Sequence, residues 1–389
     1  MRIRRLDRGA LGWTVVVVLA YVLGTLVVAH FQPARVNPAM QVALALSHGR
    51  LNIALPAGTN DTASVGGLTY QVISPLPIVP YLLFVPFPAL WAPSRLILGC
   101  AIGIMAAWLM LPFARRYAGR GPQAYWLATL GAFGTLLFDL SIQGDFYYLA
   151  QVEAMLFTLV ALIELSGRRR PWLLGLALAL AFLARPTLIL AAIPIGLAVL
   201  VSGHDRGRTL LLFALPLTLG VALTGLYDAV RFGSAWETGY AISTLGNPVL
   251  ARARSMGLFS LQHVPDNLGR LVARGFDLRA TFPFLVPDPY GHSVLLTSPG
   301  LLIAVRAGLR RNGASVLWSA AGLLTAAVLL YYGGGGWETY GFRYFLDAVP
   351  FLLALVGLAI RDRLGTLAKL LIVLSVVFVC YDVVWIAFK

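Results

Sequence analysis

Apolar runs of about 17 to 22 residues recur from one end of this 389-residue sequence to the other, each long enough to cross a hydrocarbon slab of about 30 Å as a helix. A segment in lipid must satisfy its own backbone N–H and C=O groups, which an α-helix does within itself. Charged residues make up 12% of the chain, about half of the roughly 25% that a soluble domain carries. These runs therefore cannot form one core wrapped in a polar surface. The sequence predicts an all-α polytopic membrane protein, a single transmembrane domain over residues 1–389.

The net charge of +14 would suggest a nucleic-acid partner only if its distribution were ignored. The basic residues fall in short clusters between apolar runs: Arg2, Arg4, Arg5 and Arg8; Arg115, Arg116 and Arg120; Arg168–Arg170; Arg206 and Arg208; Arg306, Arg310 and Arg311; Arg361, Arg363 and Lys369. These clusters hold 18 of the 30 basic residues, which is the positive-inside pattern and excludes a basic binding face. Taking them as cytoplasmic turns places spans near 11–29, 95–113, 124–140, 148–165, 172–184, 187–202, 209–229, 294–308, 314–332, 345–360 and 367–387. About eleven spans result, with the N-terminus inside and the C-terminus outside. The first run is too long for a secretory signal and no A-x-A site follows it, so it reads as an uncleaved span. Cys100 and Cys380 both lie inside apolar runs and form no disulfide or zinc framework.

Residues 75–92 are apolar enough to span but carry Pro75, Pro77, Pro80, Pro86 and Pro88, each removing a backbone donor. Counting this run as a span would also put Arg115 and Arg116 outside. It is expected as a short helix in or dipping into the outer leaflet. Two long extracytoplasmic loops follow, about 30–94, with a helix over Pro38–His48, and about 230–293. Eight of the sixteen acids lie on these loops or on shorter outward turns, and Asp228 and Asp347 sit at span ends beside them, so the polar machinery is expected outside.

No soluble-enzyme motif is present: no phosphate-binding Gly loop, no H-E-x-x-H and no G-x-S-x-G. Function must come from charges at the outer membrane surface, where an ionisable group is costly and usually has a partner. Asp61 is the sole acid of the first loop, and reads either as a general base or as a turn cap. Asp145 and Glu153 are eight residues apart and would share one helix face, as a metal or acceptor-substrate site or as a cap above a satisfied buried acid. Arg185 and Arg343 both stand outside against the sorting rule, which suggests a local anion. A guanidinium matches phosphate oxygens in bidentate fashion, and Asp347 is the alternative partner for Arg343. Trp236-Glu237-Thr238 is echoed by Trp337-Glu338-Thr339. Each echo offers a ring and a carboxylate to a sugar, or else belongs to an interfacial aromatic belt. His263 lies in the second long loop, where a lone histidine is more often structural.

Together these stretches resemble a family. The order is a basic N-terminus, one span, a loop helix from Val36-Asn37 to His48-Gly49-Arg50, then Asp61, Tyr70 and Pro75-Leu76-Pro77. Phe182-Leu183-Ala184-Arg185-Pro186-Thr187 follows, then Tyr227-Asp228-Ala229-Val230-Arg231-Phe232-Gly233-Ser234 with Glu237-Thr238-Gly239-Tyr240, and finally Gly341-Phe342-Arg343-Tyr344 before Pro350. The chain is similar to bacterial GT-C glycosyltransferases, the superfamily of protein O-mannosyltransferases and aminoarabinose transferases. The resemblance implies a polyprenyl-phosphate sugar donor, an outward-facing site, usually inversion at the anomeric carbon, and a bacterial inner-membrane location. It implies that Asp61 is the catalytic acid of the first loop, that Arg343 and Tyr344 face the lipid phosphate with Arg185, and that Arg231 contacts substrate. Two departures stand out. Many relatives have an acid soon after the first span, where this chain has Asn37, and some pair acids as D-x-D in the second loop, where this chain has Asp139 and Asp145. The sequence therefore leaves the cofactor open, with a divalent metal as the one candidate and no set of ligands assigned to it.

The chemistry needs little. A phosphate-linked sugar has a good leaving group, so the protein must supply a base for the acceptor hydroxyl and positive charge for the departing phosphate. The rival readings are a transporter or flippase for lipid-linked glycans or small solutes, and a non-catalytic scaffold. Transporters place charges near the bilayer midplane, often with internal repeats. Here the charges gather at the outer ends.

Overall fold

A computed structural model of the chain describes residues 8–33, 35–55, 58–202, 205–309, 311, 313–336 and 340–386. The helices are α1 (Arg8–Phe31), α2 (Pro38–Ser47), α3 (Ser94–Tyr117), α4 (Pro122–Phe133), α5 (Leu136–Gln143), α6 (Phe146–Leu165), α7 (Pro171–Ala184) and α8 (Ile189–Ser202). They continue with α9 (Arg206–Phe232), α10 (Pro248–Ser255), α11 (Val264–Val272), α12 (Val294–Thr297), α13 (Ala314–Leu330), α14 (Val349–Ile360) and α15 (Thr366–Ile386). Two small hairpins complete the list, β1 (Thr62–Val65) with β2 (Leu68–Gln71), and β3 (Asp277–Leu278) with β4 (Leu285–Val286).

Among the described residues five helices, α1, α3, α6, α9 and α15, are long and apolar enough to cross a bilayer. The bent pair α4 and α5, turned by 45°, raises the number to six. The expected count of about eleven spans is not confirmed, because several of the apolar runs form shorter or broken helices. Thr135 breaks one run: its hydroxyl donates to the Gly131 carbonyl (2.8 Å) and accepts from the Leu137 amide (3.3 Å), which starts a new helix. Arg185-Pro186 breaks another, leaving α7 and α8 as shorter pieces on either side. The run 294–308 is α12 followed by a 3-10 helix, Pro299–Ala307, and not one α-helix.

Burial sorts the helices. In α6, 72% of the apolar window is inside the protein, against 22% in α9 and 28% in α1 and in α15. Helix α6 is therefore the centre, packed on α3 and α7, while α1, α9 and α15 turn apolar faces outward. Lipid is as apolar as leucine, so contacts between these helices rest on close approach rather than on water exclusion. Gly99 and Gly103 show this on α3. A Cβ at Gly103 would strike Ser141 of α5 and come within 2.8 Å of Tyr21 of α1. This seam brings the start of α3 against the end of α5.

The proline-rich run does not form one long helix. It forms 3-10 helices over Leu76–Phe84 and Pro88–Leu90 and packs on α2, α3, α6 and α7. Asn37 locks it to α2: its Oδ1 caps the Met40 amide (2.9 Å) and its Nδ2 donates to the Tyr81 hydroxyl (2.6 Å). The two long loops are joined to one another. The Asp61 amide donates to Thr244 (2.9 Å), the Thr244 amide donates to Thr62 (2.8 Å), and the rings of Tyr70 and Phe232 meet edge to face at 5.9 Å.

Candidate functional site

Asp61 sits at the entrance to β1 with φ +59°, in the left-handed region that only Asn, Asp and Gly enter at low cost. Its carbonyl accepts from the Val72 amide (3.1 Å) and the Gln71 side chain (3.0 Å). Asn60 spans the two loops, its Nδ2 donating to Asp61 Oδ2 (3.1 Å) and its Oδ1 accepting from the Gly246 amide (2.7 Å). The turn is thus pinned through the Asp61 amide and carbonyl, while the carboxylate itself accepts from the Asn60 side chain. Burial raises its pKa above the ordinary aspartate value; nearby Arg343 opposes the rise and Asp145 adds to it.

Asp145 occupies the N-cap position of α6, yet its side chain makes no capping bond. The carboxylate faces the same cavity as Asp61. The other acid of that turn, Asp139, does not line the cavity. It accepts a short hydrogen bond from Gln143 inside α5, so the two acids of the second turn do not face one ion together. Among the described residues no three His, Cys, Asp or Glu side chains converge.

Arg343 opens the 3-10 helix Arg343–Asp347 and is 6% exposed. Its backbone is fixed on both sides: the amide donates to Gly335 (3.0 Å) and the carbonyl accepts from the Gln151 side chain (3.0 Å). Its guanidinium lies 4.9 Å from the Tyr344 ring and 5.1 Å from that of Tyr148, and donates to the Tyr344 hydroxyl (3.1 Å). Nε has no acceptor, and among the described residues no carboxylate pairs with it. Gly336, with φ +103°, lies against this side chain, and a Cβ there would collide with it. Asp347, the alternative partner in sequence, instead pairs with Arg185 (3.1 Å) and accepts from Thr187 (2.6 Å). A buried cation is left facing the cavity with no carboxylate in direct ion-pair contact, although Asp61 and Asp145 share that cavity.

The cavity has a volume of about 700 Å³ and is formed by both long loops, the start of α6 and the 331–344 segment. It gathers Asp61, Asp145, Arg343 and Tyr344 from the expected set. Its remaining walls are largely tyrosine, Tyr147, Tyr148, Tyr240, Tyr290, Tyr331 and Tyr332, with Asn60 and Asn247 between them. Burial raises the pKa of Tyr240, so its phenol stays a proton-bearing donor.

Several expected residues stand elsewhere. Arg185 is engaged by Asp347 and stacks at 4.9 Å on the far side of Tyr344, so it supports the cavity wall without lining it. Arg231 is buried, paired with Asp228 (2.6 Å) and bonded to the Gln71 carbonyl (2.9 Å), which ties α9 to the first hairpin. Glu237 accepts from the Gly239 amide (2.7 Å) within its own turn, and Trp236 is 90% exposed. His263 is bonded to the Gly257 carbonyl (2.9 Å). Glu153 is buried in α6 outside the cavity lining. Glu338 lies outside the described residues. Arg35 was not singled out in the sequence, although it too stands on an outward loop against the sorting rule. The tyrosines were hidden because interfacial belts use the same residue.

No family model and no curated protein sequence matches the chain. Among solved structures, the chain is similar to ArnT from Cupriavidus metallidurans bound to undecaprenyl phosphate, with 15% identity and a TM-score of 0.51 over 91% of this chain and 61% of that one. The apo state of the same protein gives 15% identity and a TM-score of 0.51 over 92% and 61%. The chain thus spans about three fifths of the length of the structures it matches. The multi-pass helical fold expected from the sequence is the fold this chain has, and it is shared with these ArnT structures.

Proposed function

We propose that the chain is a glycosyltransferase that moves a hexosyl or pentosyl group from a polyprenyl-phosphate donor to an extracytoplasmic acceptor, with inversion. One observation carries the reading: two carboxylates and a buried, carboxylate-free guanidinium face one cavity walled by both long loops. The ArnT structure that shares the fold holds undecaprenyl phosphate, which is the chemistry an unpaired buried arginine would accept. The phosphate sits on Arg343, with the Tyr344 hydroxyl beside it. The tyrosine faces stack on the sugar. The acceptor oxygen attacks the anomeric carbon from the side opposite the phosphate as the bond to the phosphate oxygen breaks. That oxygen leaves with the electron pair and Asp61 takes the acceptor proton. Asp145 orients the incoming hydroxyl. No second step is needed, so the configuration inverts once. The protein lies in a bacterial inner membrane with its N-terminus cytoplasmic.

The test is transfer of labelled sugar from a polyprenyl-phosphate pool in proteoliposomes, with the anomeric configuration of the product read by NMR. Transfer that is lost in Arg343→Ala and gives inverted product supports the reading. A parent protein that transfers nothing from any polyprenyl-phosphate sugar, while binding such lipids no better than a neutral lipid, would sink it.

A further inference from the structure

A second cavity, of about 370 Å³, lies beside the first and shares Arg35, Asp145 and Tyr148 with it. Its other walls come from the end of α1 (Phe31, Gln32), the start of α3 (Arg95), Gln143 and the end of α15 (Ile386). Arg95 is 5% exposed, deep in the seam that the α3 glycines create. Its Nη1 donates to the Gln143 carbonyl (2.7 Å) and its Nη2 to the Gln32 side chain (3.3 Å), both neutral acceptors. Nε has no acceptor, and among the described residues no carboxylate pairs with this arginine. Asp145 in the shared wall is the nearby opposite charge, but it makes no ion-pair contact with Arg95. A purely structural clamp between helices would not need a formal charge, and burying one with no carboxylate on it is costly. Arg35 brings a second cation to the same cavity from an exposed position. The flanking helices α1 and α15 carry exposed apolar residues, Leu23, Leu26 and Val27 on one and Val377 and Val384 on the other, which suit a lipid-facing surface beside the opening.

We propose that this second cavity binds the phosphate of an anionic, hydroxyl-bearing lipid headgroup that enters between α1 and α15, with Arg95 and Arg35 on its oxygens. The shared wall at Asp145 and Tyr148 then meets the headgroup hydroxyl. If the proposed transfer reaction holds, on which this last step rests, the lipid is the sugar acceptor. The two unpaired arginines, Arg343 and Arg95, divide the work between donor and acceptor.

The experiment uses the full chain in detergent, titrated in native mass spectrometry with dioleoylphosphatidylglycerol or dioleoylphosphatidylcholine. Phosphatidylglycerol should be retained more tightly, and Arg95→Gln should weaken it at least about tenfold, the loss expected for a charged hydrogen-bonding partner, while leaving phosphatidylcholine unchanged. Arg35→Glu changes an exposed side chain and should weaken phosphatidylglycerol in the same direction, which keeps the test alive if Arg95→Gln does not fold. Arginines elsewhere are common to parent and variants, so the difference reports this cavity. Equal retention of both lipids by the parent, or phosphatidylglycerol binding unchanged in the folded variants, overturns the proposal. Competition by inorganic phosphate at the lipid's own concentration overturns the lipid part in favour of a free anion. Undecaprenyl phosphate, titrated in parallel, separates this site from the donor site. Its binding should survive Arg95→Gln and fall in Arg343→Ala. Joint loss of both lipids in Arg95→Gln would assign Arg95 to the donor site and remove the second one. Arg95-dependent phosphatidylglycerol binding in a protein that ignores undecaprenyl phosphate would leave this site standing and the proposed reaction refuted.

Discussion

The two ends of the helix bundle each hold a cavity of similar size lined by arginine, and they are built on opposite terms. At the end expected to face the cytoplasm, a cavity of about 660 Å³ is lined by Arg115, Arg116 and Arg120, with no acid in its wall. Arg116 and Arg120 are exposed, and Arg115 rests on Tyr125 (3.2 Å to the hydroxyl). At the end carrying the long loops, the cavity of about 700 Å³ sets one buried arginine against two carboxylates. Cavity size and arginine number therefore do not mark the site. Desolvated charge of both signs in one place does, because such charge is costly and persists where a ligand or a partner compensates it. The exposed arginines need no such explanation, since the sorting of loops across the membrane accounts for them.

Buried against exposed pairing gives the largest expected contrast. Asp347→Ala leaves Arg185 without its carboxylate in a buried position and should destabilise the protein by about 3–5 kcal/mol. Glu164→Ala removes the partner of Arg170, whose side chain is 43% exposed, and should lower stability far less, because solvent screens the pair. Thermal unfolding in detergent measures both; equal losses would break the comparison.

Asp61→Asn keeps the size and the turn conformation but removes the proton acceptor. Turnover should fall by roughly 10²-fold or more, while Arg116→Ala at the other end should leave it within about twofold. Parental turnover in Asp61→Asn would move the base to Asp145, the other carboxylate in the cavity.

Arg343→Ala should weaken the donor by about 1.5–3 kcal/mol, the scale of a hydrogen bond to a charged group. Arg343→Lys should fall between, because lysine keeps the charge but loses the planar fork. Donor titration at fixed acceptor reads both, and an Ala variant with parental donor affinity would take Arg343 out of the site.

The smallest effect is on the pH profile. Asp61 must be ionised to act as a base, so the rate should fall as pH drops through its pKa, which stands above the ordinary aspartate value because of burial and of Asp145. Asp145→Asn removes the neighbouring negative charge and should move the acid limb to lower pH. A limb that stays in place would show that the two carboxylates do not interact.

Much of the site was legible because the membrane makes charge informative. Asp61 was conspicuous as the sole acid of a long loop, and Arg343 because it stood against the sorting rule. Arg185 gave the same signal and belongs to an internal pair, since sequence shows a misplaced cation but not which anion meets it. Asp347 lies four residues from Arg343 and 162 from Arg185, and the fold chose the distant partner. Arg231 and Glu237 are likewise engaged locally, by Asp228 and by a backbone amide. The tyrosine walls were not legible, because an aromatic residue at a membrane surface has an ordinary explanation.

By itself the sequence determined that this chain is a bundle of membrane helices and which segments share an end. Hydrocarbon admits few backbone solutions, and the sorting of arginine is a matter of composition. It also determined that the proline-rich run could not continue as a helix, since proline removes the donors a helix needs. The division at Arg185-Pro186 was already legible in the sequence, but only the tertiary structure decided the break at Thr135, which acts through local hydrogen bonds that hydropathy does not register. It alone decided that two loops about 180 residues apart close on Asp61, and that Arg343 and Arg95 remain without carboxylates while Arg185 and Arg231 do not. Pairing depends on distance in space, and distance in space is what one dimension of sequence does not carry.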